Sequence, residues 1–137
     1  EVALVASGVP APSSSVVRRA RSLVAKGHDP LGDAYCAIRS PEQRRPMGQT
    51  YTPAPIIKAM VNWATDQGTP TRIVDPGAGS GRYLLAAGKR FPRAELHAAE
   101  IDPLAVLMLR ANAAAAGFQQ ADQDQGGHAG GHLGGLV

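Results

Sequence analysis

The chain has one cysteine, few aromatic residues and only a small excess of positive charge. Each shortage excludes something. The single thiol, Cys36, rules out a disulfide within the chain and fits a reducing, cytoplasmic setting, with a buried bystander role expected for it. Aromatic residues make up 4% of the sequence, so a core of Ala, Val, Leu and Ile is expected. No apolar run reaches the roughly 18 residues of a membrane span, so no membrane partner is expected. The opening EVALVASGVPAPSSS has small residues but neither a basic leader nor a long apolar core, and is not read as a signal peptide. The first residue is Glu1 rather than Met, as in a fragment or a processed product. A net charge of +3 is too small to identify a polyanionic partner.

What is present is enough for one domain with a core: 137 residues, 44% hydrophobic and 18% charged. Residues 1–14 read as a loose leader. SSSVVRRARSLVAKG reads as a helix, with Ser14 or Ser15 as N-cap, Val17, Ala20, Leu23 and Val24 at helical spacing, and Gly27 as stop. Its arginines are expected to form a solvated face. HDPLGDAYCAIRSPEQRRPMG reads as a short helix among turns. In GQTYTPAPIIKAMVNWATDQG, Thr52 is the expected cap and Pro53 fits the first turn. Ile56, Ile57, Met60, Val61 and Ala64 then form one apolar face, with Trp63 beside it against the preceding segment.

Thr71–Asp75 reads as a short buried strand and RYLLAAGKR as a helix. Ala94–Glu100 reads as a second strand. DPLAVLMLRANAAAAG reads as a helix capped by Asp102, with Pro103 in its first turn and Gly117 as its stop. Strand, helix, strand, helix predicts a parallel βαβα unit with a right-handed crossover. Residues 119–137 are glycine-rich, with no run suited to a buried strand, and are expected to be a disordered tail. His128 and His132 lie four apart, but the flanking glycines argue against the helix a metal pair would need.

Between the first strand and its helix stands IVDPGAGSGRYLL. Gly77, Ala78, Gly79 and Gly81 form a loop in which glycine permits left-handed angles and close approach of a ligand. Backbone N–H groups at the helix start are expected to face that ligand. A dinucleotide fingerprint would need glycine where Arg82 stands, and a phosphate loop would need a lysine that is absent. The order D-x-G-x-G-x-G, with Glu100 ending the next strand, favours a ligand with a ribose and no pyrophosphate. S-adenosylmethionine fits. Asp75 and the loop suit its ammonium and carboxylate, Glu100 its ribose hydroxyls, and Ile101 an apolar wall for its adenine.

These residues resemble a class I S-adenosylmethionine-dependent methyltransferase: VDPGAGSG resembles its first motif and AAEIDP, which includes Glu100, Ile101 and Asp102, its second. GQTYTPAPIIKAMVNWA resembles the Thr-Pro motif of adenine-specific DNA methyltransferases of restriction-modification systems, in which that segment helps bind the methionine end of the cofactor. Thr52 and Pro53 match it. The resemblance covers about Gly48 to Gly117. It implies an α/β chain with a partial Rossmann-like cofactor half at 48–118, an N-terminal helical segment at 1–47 and the tail at 119–137. It also implies double-stranded DNA as the partner of the complete enzyme.

The sequence departs from that family at its catalytic motif, Asn/Asp-Pro-Pro-Tyr/Phe, which has no match here. In the family that motif accepts the hydrogens of the adenine amino group and stacks on the flipped base. No catalytic residue and no metal ligand is therefore assigned, and the chain is expected to be inactive alone. It is read as the front third of an enzyme, with translation out of frame near Phe118 as one origin of the tail. Alternatives are a methyltransferase acting on RNA, protein or a small molecule, or a non-catalytic cofactor-binding fragment. In the family's sheet the first strand has neighbours on both sides. Two strands alone would leave both edges open, so a marginally folded chain is expected.

Overall fold

The computed structural model describes residues 9–120 and 132–136. Helix α1, Ser14–Ala25, is capped by Ser13, one residue earlier than predicted, whose Oγ accepts the Val16 N–H at 3.4 Å. Lys89 holds the other end of α1, donating to the carbonyls of Val24 and Ala25. Helix α2, Pro30–Ile38, starts at the Asp29 cap, and a capping box at Ser40 and Gln43 starts the single turn α3, Pro41–Arg44. A 3-10 turn over Arg45–Met47 follows and ends on left-handed Gly48.

Helix α4, Ala54–Asp66, corrects the capping expectation. Pro53 occupies its N-cap position in extended backbone, with no side-chain cap, and Thr52 lies one residue too early to serve. The apolar face is also narrower than predicted. Ile57 and Val61 are buried and Ala64 packs on the core. Ile56 and Met60 are about half exposed, and Trp63 is 65% exposed rather than packed. Residues 57, 61 and 64 share one stripe. Residues 56, 60 and 63 share the next, about 100° around the helix, and no described element covers it.

Strand β1, Arg72–Asp75, pairs in parallel with β2, Glu95–Ala98, with Ile73 opposite Leu96 and Asp75 opposite Ala98. Helix α5, Arg82–Arg90, joins them, and α6, Pro103–Ala116, follows β2. The predicted order of strand, helix, strand, helix is therefore present. Asp102 caps α6, its Oδ1 accepting the Leu104 N–H at 2.9 Å, and Gly117 ends the helix at a φ of 84°.

One face of the sheet carries the core. Ile73, Leu96 and Ala98 pack there with Ile57, Val61, Leu84, Ala87, Phe91 and Leu109. Leu84, Leu96 and Leu109 are fully buried, each contributing roughly 1.5–3 kcal/mol by its removal from water. The core is aliphatic, as composition predicts, with Phe91 its one buried aromatic among the described residues. β1 is not a buried strand throughout. Val74 points to the opposite face and is 60% exposed.

The tail expectation is corrected at two places. Gln119–Gln120 forms β3 and His132–Leu136 forms β4, giving a four-stranded parallel sheet in the order β1-β2-β4-β3. β4 runs along the far edge of β2, with a register shift between His97 and Ala98. Sheet pairing uses backbone groups, so an open strand edge accepts a segment that composition alone would not mark. The far edge of β2 is thus covered, while β1 has no second neighbour among the described residues. The rest of the tail, including His128, and leader residues 1–8 lie outside the described residues. Among those described, no helix is long and apolar enough to cross a membrane.

Candidate cofactor site

The two strands end side by side, and their C-terminal ends open on a cleft of about 780 Å³. That size lies within the range of small-molecule sites. Thr52, Asp75, Gly77, Ala78, Gly79, Glu100 and Ile101 line it. Pro53, Gly81 and Asp102, also predicted as cofactor residues, are not on its wall.

The three glycines have three different reasons to be there. Gly81 begins α5 at a φ of 88°, and a Cβ there would run into the Leu109 side chain. It serves helix packing. Gly79 has a φ of 54°, and the Tyr51 ring lies 3.9 Å from where its Cβ would stand. Gly77 is outside the left-handed region and faces open space.

The loop amides are not the row of free donors that the sequence predicts. The Gly77 N–H approaches Asp75 Oδ1 at 3.4 Å, Ala78 donates to the Ala99 carbonyl at 3.1 Å, and Gly81 donates to Ala78 at 2.7 Å. Gly79 donates to Glu100 Oε2 at 2.7 Å, and Glu100 Oε1 accepts the Asp102 N–H at 2.9 Å. A tight loop satisfies its own backbone first. Of these four amides, Gly77 and Gly79 are held by side chains, and Gly79 is the one held by a carboxylate from beyond β2.

Burial raises the Asp75 pKa above its ordinary 3.8, opposed by the Gly77 amide and reinforced by the charge of Glu100. Asp75 and Glu100 both face the cleft, and a cation there would favour the charged form of Asp75. Ile101, 83% exposed, supplies an apolar surface beside Glu100.

The wall opposite the loop is the segment 48–52. Gln49 braces it, accepting from the Tyr35 hydroxyl at 2.7 Å and donating to Asp102 Oδ2 at 2.5 Å. Asp102 thus acts on the cleft from behind, through Gln49. Arg44 donates to the Gln49 carbonyl. Tyr51 sits between the guanidinium groups of Arg44 and Arg82, 5.7 and 5.3 Å from its ring centroid, and beside Tyr35. Burial pushes the Tyr51 hydroxyl pKa up.

Sequence reasoning missed Tyr51, Gln49, Arg82 and Asp29. The Asp-Pro pair at 29–30 signals a helix start, but nothing local shows what else Asp29 reaches. Cys36, partly buried, is a free thiol.

Residues 26–126 match the profile of the N-6 DNA methylase family. The chain belongs to that family. The match begins upstream of the Gly48 boundary drawn from motifs alone, so it includes the segment that carries Asp29. Among relatives of this N-6 DNA methylase chain, the Type II methyltransferase M.XamI of Xanthomonas campestris pv. amaranthicola is 57% identical over 90 residues. The alignment covers 66% of this chain and 15% of that protein. A tRNA1(Val) (adenine(37)-N6)-methyltransferase from two strains of Porphyromonas gingivalis is 45% identical over 49 residues, covering 36% of this chain and 19% of that protein. The chain spans less than a fifth of the length of the curated relatives it matches. No solved structure matches it.

Proposed function

We propose that this chain is the S-adenosylmethionine-binding part, Rossmann-like in fold, of an adenine-specific DNA methyltransferase. One observation carries the reading. Asp75, Glu100 and the glycine loop converge on one cleft at the C-terminal ends of two parallel strands, where open α/β sheets bind ligands. DNA is preferred to RNA as the substrate of the complete enzyme because the N-6 DNA methylase profile spans residues 26–126, while the tRNA methyltransferases match 36% of the chain. The complete enzyme is assigned to the cytoplasm, a setting that a lone cysteine fits. The cofactor half is placed at 48–118, after the N-terminal helical segment at 1–47.

The residues present fit the cofactor. Asp75, half-buried and next to a second acid, suits the ammonium of the methionine end. Glu100 suits vicinal ribose hydroxyls, and when it accepts them it releases the Gly79 N–H toward the methionine carboxylate. Thr52 offers a hydroxyl on the opposite wall, and Ile101 an apolar face for adenine. When bound, S-adenosylmethionine supplies a methyl group on a sulfonium, reactive toward an amine. The 137 residues contain no Asn/Asp-Pro-Pro-Tyr/Phe sequence to orient that amine. This chain therefore binds the donor and does not transfer the methyl group.

Calorimetric titration with S-adenosylmethionine, NAD and ATP tests the reading. Binding of the first alone is expected. Binding of NAD or ATP without S-adenosylmethionine overturns it.

A further inference from the structure

The glycine loop is held from outside by a residue far from it in sequence. Asp29 lies 10% exposed beneath the loop, and both of its oxygens are fully used. Oδ1 accepts the Gly32 N–H at 2.9 Å and Asn112 Nδ2 at 2.8 Å. Oδ2 accepts the Ser80 hydroxyl and, at 2.6 Å, Arg82 Nε. Capping α2 requires only the first of these four bonds. The others come from the loop, from the first residue of α5 and from the middle of α6. Ser80 and Asn112 are almost completely buried, and Asn112 also donates to the Ser80 carbonyl at 3.0 Å. Arg82 bonds Asp33 as well and lies over the Tyr51 ring that covers Gly79. A carboxylate this buried is costly unless its charge is paired and its oxygens are hydrogen-bonded, as these four bonds provide.

We propose that Asp29 is a positioning residue for the cofactor cleft: it fixes the Ser80–Arg82 half of the glycine loop and, through Arg82, the Tyr51 wall. The inference rests on the reading of the cleft as an S-adenosylmethionine site, but it concerns the loop itself. Gly79 and Gly81 both have positive φ, a backbone that glycine adopts without steric cost but, having no side chain, does nothing to fix. Ser80 stands between those two glycines, and Asp29 grips it.

Asp29→Asn separates the two roles. Asparagine caps a helix about as well as aspartate. Its amide nitrogen cannot accept from Arg82, and its charge is gone. Amide hydrogen exchange of the full chain without ligand is the first measurement. The variant is expected to lose about tenfold protection at Gly81, while Gly32 and Leu96 keep theirs. Calorimetry with S-adenosylmethionine is the second, with an expected weakening of about tenfold. Adding Ser80→Ala to Asp29→Asn should weaken binding little further, because both act through one contact. If Asp29→Asn does not fold, Ser80→Ala alone carries the same expectation at Gly81.

Loop protection unchanged in the variant overturns the proposal. So does a loss spread evenly over the chain, the mark of a merely structural role. So does unchanged affinity where the wild type binds. A wild type that binds no S-adenosylmethionine, with exchange loosened only at the loop, overturns the cofactor reading and leaves the positioning role standing.

Discussion

Replacing the three loop glycines by alanine, one at a time, should destabilise the fold in the order Gly81, Gly79, Gly77. At Gly81 the backbone stands at a φ of 88°. An ordinary L-residue held there costs about 1–2 kcal/mol. The new methyl group would enter the space of the Leu109 side chain, which is fully buried and would have to shift within the core. Overpacking of that kind costs about 1–3 kcal/mol. Alanine restricts the unfolded chain and returns about 0.4–1 kcal/mol. The net loss for Gly81→Ala is therefore about 1–4.5 kcal/mol. At Gly79 the φ is 54° and the nearest atom, on Tyr51, lies 3.9 Å away, an ordinary contact. Only the backbone strain remains, and the net loss is about 0–1.6 kcal/mol. At Gly77 neither penalty applies, so only the unfolded-state gain remains, and the change should be neutral to stabilising by about 0.4–1 kcal/mol. The assay is urea unfolding of each variant followed by far-ultraviolet circular dichroism. Against a typical stability of about 5–15 kcal/mol, Gly81→Ala is a large fraction of the whole. A Gly81→Ala loss no larger than that of Gly77→Ala would refute the packing role given to Gly81.

Asp102→Ala removes the cap of α6 and the partner of Gln49, and should cost about 1–2 kcal/mol of stability by urea unfolding. Asp75 has a raised pKa in the fold, so between 3.8 and that raised value the folded chain binds more protons than the unfolded one. Stability then falls as pH rises through this window, and the deficit persists above it. Asp75→Asn should therefore melt at pH 7 at the same or a higher temperature, while losing S-adenosylmethionine binding; a clearly lower melting temperature would contradict the sign. Transfer of a labelled methyl group from S-adenosylmethionine to mixed-sequence DNA should not exceed that of a Gly79→Arg control. Incorporation above it would place catalytic groups in this chain.

The sequence specifies structure directly where the physics is local. Asp102, Pro103 and Gly117 bound α6 as capping rules require, and the glycines between β1 and α5 mark the cleft. Glu100 reaches the loop because it lies two residues past the end of β2, the strand paired with β1. What one local signal leaves undecided is which of two adjacent stripes meets a neighbour. Ile56, Met60 and Trp63 repeat at the same spacing as Ile57, Val61 and Ala64, yet only the second set is buried. Val74 fits a buried strand by composition and lies on the open face. Asp29 was illegible for a further reason. Its partners Ser80, Arg82 and Asn112 are 51, 53 and 83 residues away. Only the folded chain brings them together. β4 escaped notice because strand pairing through backbone leaves little trace in a glycine-rich sequence.

The central claim is that Glu100 holds the ribose of S-adenosylmethionine in this cleft. Calorimetric titration of Glu100→Ala against the parent chain, at a temperature where both are folded, measures it most directly. A charge-assisted hydrogen bond contributes roughly 1.5–3 kcal/mol, so binding should weaken by roughly tenfold to a hundredfold. Equal affinity in the two proteins would contradict the assignment.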